Sequence, residues 1–442
     1  MNILIITHFF PPGHTGGTET LTAALARALL AAGHAVQVLC AEGWDSAPSA
    51  AITVSDDSFQ GVPVRRLHFN WKRASDVFRS TYNNPAVEAW LDAYLAQHRP
   101  DVVHITSCYS LSASVITAAK RAGLPVALTA TDFWFLCNRN TLLQSDGQLC
   151  SGPESAWKCA QCNLRNSKFY RWSGAVLPEK LHAPALLRAG KAPLITRQPG
   201  VRGMHGDWDD RFAFLRAALG QVDVIVTASR LLQDLLVEYG VPAGRIRFSP
   251  YGFDLDWVQA SPDKPASDTL RLGFIGQMIP MKGPDILIRA VKALDPAAPV
   301  ALKLYGGLDK EPAYGQQLRA LASDDPRISF MGMFPHHEIG AVLDGIDVLV
   351  VPSIWYDFPL VIPTAFATRT PVIATDMPGM NELVHNEADG LLFERGSSGA
   401  LAGQIRRLLN EPGLLAALKA GIAPVKTTAA MRGEYEALYA AL

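Results

Sequence analysis

The sequence predicts an α/β protein with two Rossmann-like, doubly wound parallel-sheet domains. Three observations lead there: apolar runs of strand length recur without polar alternation, helical segments separate them, and the rhythm restarts after the polar stretch VQASPDKPASDT at 258–269. Strands apolar on both faces belong in a parallel sheet covered by helices on each side. A chain of 442 residues also exceeds one typical core.

NILIIT reads as the first strand, and the loop HFFPPGHTGG leads into the helical TETLTAALARALLAAGH. Leu21, Leu25 and Leu29 recur at four-residue spacing, and Gly33 stands where such a helix stops. HAVQVLC, DVVHIT, PVALTA and VDVIVTA supply further strands, with helical segments such as LSASVITAAKRAG between them. Residues 137–220 interrupt the pattern: they are rich in Cys, Trp, Arg and Pro, carry no clear strand, and read as a Cys-rich insertion in the N-terminal domain. After the linker, LRLGFIG is a strand and KGPDILIRAVKAL a helix, and VALKLY, RISFMG, DVLVVP and PVIAT complete a second sheet. The expected boundaries are 1–255 for the first domain, 256–424 for the second domain, and 425–442 for a C-terminal helix packing back on the first. Ligands of open parallel sheets bind at the carboxyl ends of the strands, which in two such domains predicts an interdomain cleft.

Forty basic against forty-one acidic residues leave a formal charge of −1, so nothing favours nucleic acid as a partner. MNILIITHFF lacks a basic lead and a small-residue cleavage site, and reads as a strand rather than a signal peptide. No apolar run reaches the roughly 18 to 20 residues of a bilayer span. A cytoplasmic protein is expected, with peripheral membrane contact left open.

Three stretches carry candidate chemistry. In PGHTGGTE, Gly16 and Gly17 let the backbone approach a ligand and precede helix amides suited to an anion; the alternative is a plain strand-to-helix turn. In GFIGQMIPMKG, Gly276 follows a strand and Lys282 stands at a helix start, where ammonium and amides together suit a diphosphate; a solvated lysine is the alternative. In WYDFPLVIPTAFATRTPVIATDMPGMNELV, Asp357, Asp376 and Glu382 lie near strand ends, with caps or solvated carboxylates as the alternative for the last two. Asp132, in TATDFWFLC, ends a strand and fits either a ligand hydroxyl or a cap.

The order and spacing of these pieces, together with ASRLLQDLLVEYGVPAGRIRFSPYGFD, ISFMGMF and DGLLF, resemble the retaining glycosyltransferases of family 4, glycosyl transferases group 1, over nearly the whole chain. The resemblance implies the two-domain GT-B fold and transfer of a sugar from a nucleotide-diphosphate sugar, by default a UDP-sugar, with retained anomeric configuration and no obligatory catalytic metal. It places Gly16, Gly17, Gly276 and Lys282 against the donor diphosphate, with Gln277 where many members have arginine. It puts Met331 and Met333 near the base, and Phe358, Pro359 and Leu360 beside the donor. His104 matches a histidine near the reacting sugar, with Thr106 where a second is common. Of a pair of glutamates common in the family, Asp357 takes the first place, orienting the sugar, and Thr364 the second, at the ribose. Thr364 offers one hydroxyl where a carboxylate accepts from both ribose hydroxyls, with Glu382 or backbone amides as compensation. His104, Asp132, Asp357 and Lys282 are thus the catalytic candidates.

Cys137, Cys150, Cys159 and Cys162 follow C-x12-C-x8-C-x2-C. A CxxC pair is a common half of a zinc clip, so a structural zinc site leads, ahead of an iron–sulfur cluster, reduced thiols or a disulfide. Beyond it, NLRNSKFYRW and LPEKLHAPALLRAGKAPLITRQ interleave basic and apolar residues, including Lys168, Arg171, Lys180 and Arg188. They suit either an anionic bilayer with a polyprenyl-diphosphate-linked acceptor or an amphipathic helix packed on its own domain. The expected role is bacterial surface-polysaccharide or glycoconjugate assembly. A soluble small-molecule acceptor and a non-catalytic nucleotide-sugar binding or scaffold protein are the alternatives.

Overall fold

The computed structural model describes residues 1–42, 47–165, 206–255, 258, 264, 267–355 and 358–442. The chain divides into two compact units. The first comprises Met1–Ala228, Leu232–Tyr251 and Thr428–Leu442, and the second Ser229–Leu231 and Gly252–Thr427.

In the first unit, strands β1 (Asn2–Thr7), β2 (Ala35–Ala41), β3 (Thr53–Phe59), β4 (Val62–His68), β5 (Val102–Ile105), β6 (Val126–Ala130), β7 (Val224–Thr227) and β8 (Ile246–Phe248) form one sheet in the order β3-β4-β2-β1-β5-β6-β7-β8. All neighbours are parallel except the β3–β4 hairpin at the edge. Every residue of β5, β6 and β7 is buried, as strands covered on both faces must be. The helix Gly17–Ala31 packs Leu21, Leu25 and Leu29 inward and gives way at Ala32 to Gly33, whose φ of +89° lets the chain turn into β2. Helix Pro85–Gln97 starts on Asn84, whose side chain accepts from the amides of Ala86 and Val87, with Pro85 as its first residue.

The second unit contains β9 (Leu270–Ile275), β10 (Val300–Tyr305), β11 (Ile328–Gly332), β12 (Val348–Val351), β13 (Val372–Thr375) and β14 (Gly390–Phe393), all parallel, in the order β11-β10-β9-β12-β13-β14. The order reverses between β9 and β12, and in such sheets the crevice beyond the strand ends at the reversal takes ligands. Its core joins Leu272, Leu302, Leu304 and Val348 to Leu287 and Val291 from helix Pro284–Lys292.

The segment expected to be a strandless insertion is not without order. Helix Ala156–Leu164 begins on Ser155, whose hydroxyl accepts from the Lys158 amide, and Leu143 pairs with Leu149 as an isolated bridge. Helix Gly206–Leu219 lies against it, with Trp208 packed on Ala156 and Ala160. Lys168, Arg171, Lys180 and Arg188 of the proposed membrane face lie outside the described residues, as does Asp357. Among the described residues no helix is long and apolar enough to cross a membrane.

Candidate active site

In the second unit the loops after β9, β10, β12 and β13 share one edge of the sheet and carry most of the expected donor residues. Gly276 follows β9, and Gly306 follows β10 with φ of +154°; a Cβ on Gly306 would lie 2.0 Å from the Gly276 carbonyl oxygen, so only glycine lets the two turns meet. The turn Pro280–Lys282 then leads through Gly283, at φ +68°, into helix Pro284–Lys292. A Cβ on Gly283 would stand 2.1 Å from the Pro352 carbonyl oxygen. The Lys282 ammonium lies 5.4 Å from the centre of the Trp355 ring, a cation–π contact that sets Lys282 beside the start of that helix.

Gln277 accepts a 2.7 Å hydrogen bond from the ammonium of Lys310, which comes from the loop after β10. A positive charge thereby reaches the position where the family resemblance leads one to expect an arginine. Lys310 was not a candidate from sequence, because no motif spans the distance from Gln277. Met331 and Met333 are 47% and 82% exposed, an apolar surface beside Phe334 and Tyr305.

Two donor-side expectations are altered. Thr364 sits in helix Val361–Ala367, is 9% exposed, and donates its hydroxyl to the Leu360 carbonyl at 3.1 Å, so its proton is already committed within its own helix. The Glu382 carboxylate accepts from the Ser229 hydroxyl at 3.0 Å and from the amides of Arg230 and Leu231 at 2.5 and 3.2 Å. It anchors a backbone segment, which takes up most of the acceptor capacity expected to serve the ribose. Phe358, Pro359 and Leu360 lead directly into the Thr364 helix, and Asp376 accepts from the Asn381 amide group at 2.9 Å.

In the first unit, Gly16 is extended, with φ −71° and ψ −179°, and precedes helix Gly17–Ala31. The Glu19 carboxylate folds back on it: a Cβ on Gly16 would meet Glu19 Oε2 at 2.5 Å. His8, just past β1, lies 3.3 Å from Glu19 Oε1. Burial works against the Glu19 charge, but the hydrogen bond and attraction from His8 outweigh it and hold the carboxyl below its usual range. Thr18 donates to Thr131 at 3.0 Å, Thr131 to the Thr106 carbonyl at 3.0 Å, and Thr22 bonds Thr106 at 2.8 Å. That ladder ties the helix start to the ends of β5 and β6. Asp132 follows β6 and accepts from the Trp134 amide at 2.8 Å; burial raises its pKa, the amide and His8 oppose the rise, and Glu19 adds to it. Tyr109 meets His8 edge-on at 5.7 Å. His8, Glu19 and Tyr109 thus join Asp132 in one polar cluster at the carboxyl end of the sheet. Sequence reasoning missed them; the alternation of His8 and Glu19 about the glycine loop was the signal.

His104 is a correction. It lies within β5, is 0% exposed, and both ring nitrogens are engaged, Nε2 with Thr129 at 2.8 Å and Nδ1 with the Tyr439 hydroxyl at 2.7 Å. Tyr435 completes the chain to Thr129 at 2.8 Å. Burial pushes the imidazole down to about 3, so it stays neutral and joins β5 and β6 to helix Thr428–Ala440 instead of facing a sugar.

Cys137, Cys150, Cys159 and Cys162 line one small cavity with Trp208 and Arg139. Among the described residues no three His, Cys, Asp or Glu side chains are gathered to hold a metal ion, so the expected zinc site is not formed as these thiols stand.

A profile of the glycosyl transferase 4-like domain matches residues 16–179, and one of the glycosyl transferases group 1 matches residues 269–411. The chain belongs to the family 4 glycosyltransferases. As a family 4 glycosyltransferase of GT-B fold, it is similar over its whole length to the UDP complex of Anabaena HepE, with a TM-score of 0.68 at 16% identity and all of both chains covered. It is likewise similar to sucrose-phosphate synthase of Thermosynechococcus elongatus, with a TM-score of 0.63 at 18% identity and full coverage of both. Among curated proteins, the D-inositol 3-phosphate glycosyltransferase of Corynebacterium glutamicum is 30% identical over 42% of this chain and 48% of its own length. That of Acidothermus cellulolyticus is 31% identical over 47% and 51%. The chain spans about half the length of these curated relatives.

Proposed function

We propose that this glycosyltransferase moves a sugar, with retention, from a nucleotide-diphosphate sugar to a glycan or lipid-linked acceptor in bacterial surface-polysaccharide or glycoconjugate assembly. The observation that carries the donor half is the joint placement of Lys282, the start of helix Pro284–Lys292, and the Lys310–Gln277 pair at one sheet edge. Two ammonium groups and a helix N-terminus suit a diphosphate, whose charge grows as the sugar leaves. Met331 and Met333 offer the base an apolar surface, Thr364 an acceptor oxygen near the ribose, and Asp357 orients the sugar. UDP is the donor nucleotide we favour, since Anabaena HepE was solved with UDP and with UDP-glucose.

On the acceptor side, Asp132 with the His8–Glu19 pair supplies carboxylates for hydroxyls. Retention follows when the acceptor arrives on the face the diphosphate leaves, and a departing phosphate oxygen takes its proton; catalysis is then positioning and charge stabilisation, without a metal. A second reading, a small soluble acceptor, is favoured by the names of the curated relatives, which act on inositol 3-phosphate.

A thermal-shift panel of UDP-, GDP-, ADP- and dTDP-sugars, followed by donor hydrolysis, tests the donor half. One nucleotide should raise Tm selectively, and Lys282→Ala should weaken its binding about ten- to hundredfold, the worth of one charged hydrogen bond. No selective shift and no hydrolysis would leave a non-catalytic protein. Lipid-linked against soluble acceptors then separate the two acceptor readings.

A further inference from the structure

The strongest features outside the proposed transfer site are the four cysteines and the charges around them. Cys137, Cys150, Cys159 and Cys162 line a cavity of about 20 Å³, room for a single water-sized particle. Arg211, on helix Gly206–Leu219, is 1% exposed, and its guanidinium has one hydrogen bond, 2.6 Å to the Trp134 carbonyl. Its Nε and Nη1 have no partner, and its charge rests against the rings of Trp134 and Trp208 at 5.6 and 6.0 Å. Arg139 lines the same cavity, and its buried Nε is also without a partner. A buried guanidinium without an anion is costly. The groups close enough to act on Arg211 through their charge are Cys137, Cys159, Tyr82 and Tyr239; Arg139 acts likewise on Cys162.

From this pairing of an unmatched buried cation with four convergent thiols, we propose that the cysteines bind one zinc ion as a tetrathiolate whose negative charge Arg211 and Arg139 neutralise. Four thiols give up four protons and take one Zn²⁺, leaving a centre of charge 2−, which supplies the anion that the two arginines lack. Neutral thiols or two disulfides supply no charge and leave both guanidiniums unmatched. Since no three of the thiols are gathered as they stand, zinc binding requires them to move inward onto the cavity they line. The site then clasps Cys137, the Leu143–Leu149 bridge and helix Ala156–Leu164 against the helix that carries Arg211.

The test uses the full chain purified under reducing conditions without added metal. Elemental analysis should find about one zinc per chain, and a mercurial thiol reagent should release it stoichiometrically as the four cysteines are converted to mercaptides. Cobalt(II) exchanged into the wild-type protein should show the intense thiolate-to-metal charge-transfer bands of a tetrahedral site, a readout that needs no variant. Arg211→Met should bind zinc about 10- to 100-fold more weakly, as loss of a group supporting a ligand does, and Arg211→Lys should recover part of that loss. Protein that neither contains nor takes up zinc, cobalt without thiolate bands, or bound iron with a visible chromophore would each overturn the proposal. Unchanged zinc affinity in a folded Arg211→Met would overturn the role given to the arginine.

Discussion

His104 shows how one buried side chain ties stability to pH. Its imidazole takes up a proton near 6.5 in the unfolded chain but only near 3 when folded. Between those values the unfolded state binds more protons, so stability present above pH 6.5 is progressively lost as pH falls toward 3. Chemical denaturation at steps from pH 7 to pH 4 should show that decline, and His104→Asn should flatten it; an equal slope in the variant would contradict the assignment. The residue was misread from sequence because DVVHIT ends in a strand-end pattern, while what covers His104 is Tyr439, 335 positions away. Gln277 has the opposite lesson. Its identity suggested a lost charge, and Lys310 restores one through a contact that local sequence does not encode.

At the level of elements, the strands most easily read are the most deeply buried. β1, β5, β6, β7, β12 and β13 are short apolar runs because both faces are covered, and that constraint is written directly in residue type. The β3–β4 hairpin escaped notice because β3, TVSDDSF, is exposed nearly throughout and shows no apolar run. The helix Ala156–Leu164 was hidden among cysteines and polar residues, where only Ala156 and Ala160 are buried. The glycine loops were legible as loops, but their geometry was not: Gly16 makes room for Glu19, and Gly283 makes room for Pro352. Gly283→Ala should therefore destabilise the second unit by about 2 to 4 kcal/mol, combining a left-handed backbone with a clash against a carbonyl. Thermal unfolding checks this; a loss below about 1 kcal/mol would mean the turn moves freely.

At the scale of the molecule, the first unit is assembled from distant parts of the chain. Helix Thr428–Ala440 packs on helix Gly17–Ala31, and Glu436 meets His34 at 3.0 Å, while Glu434 accepts from Ser249 at 2.6 Å. Removing residues 428–442 should expose His104 and Thr129 and lower the unfolding temperature of the first unit. Hydrogen exchange should then show protection lost in β5 and in helix Gly17–Ala31, with the second-unit sheet unaffected. Unchanged protection in β5 would show that the tyrosines contribute little.

The same chain of hydroxyls from His104 to Tyr439 and Tyr435 also imposes an order on synthesis. A ribosome makes β5 and β6 early, but their two tyrosine partners emerge only after the whole of Gly252–Thr427 has been translated. Throughout that interval the nascent first unit waits with an apolar gap and an unmatched histidine. This is the stage at which a chaperone would have most to protect.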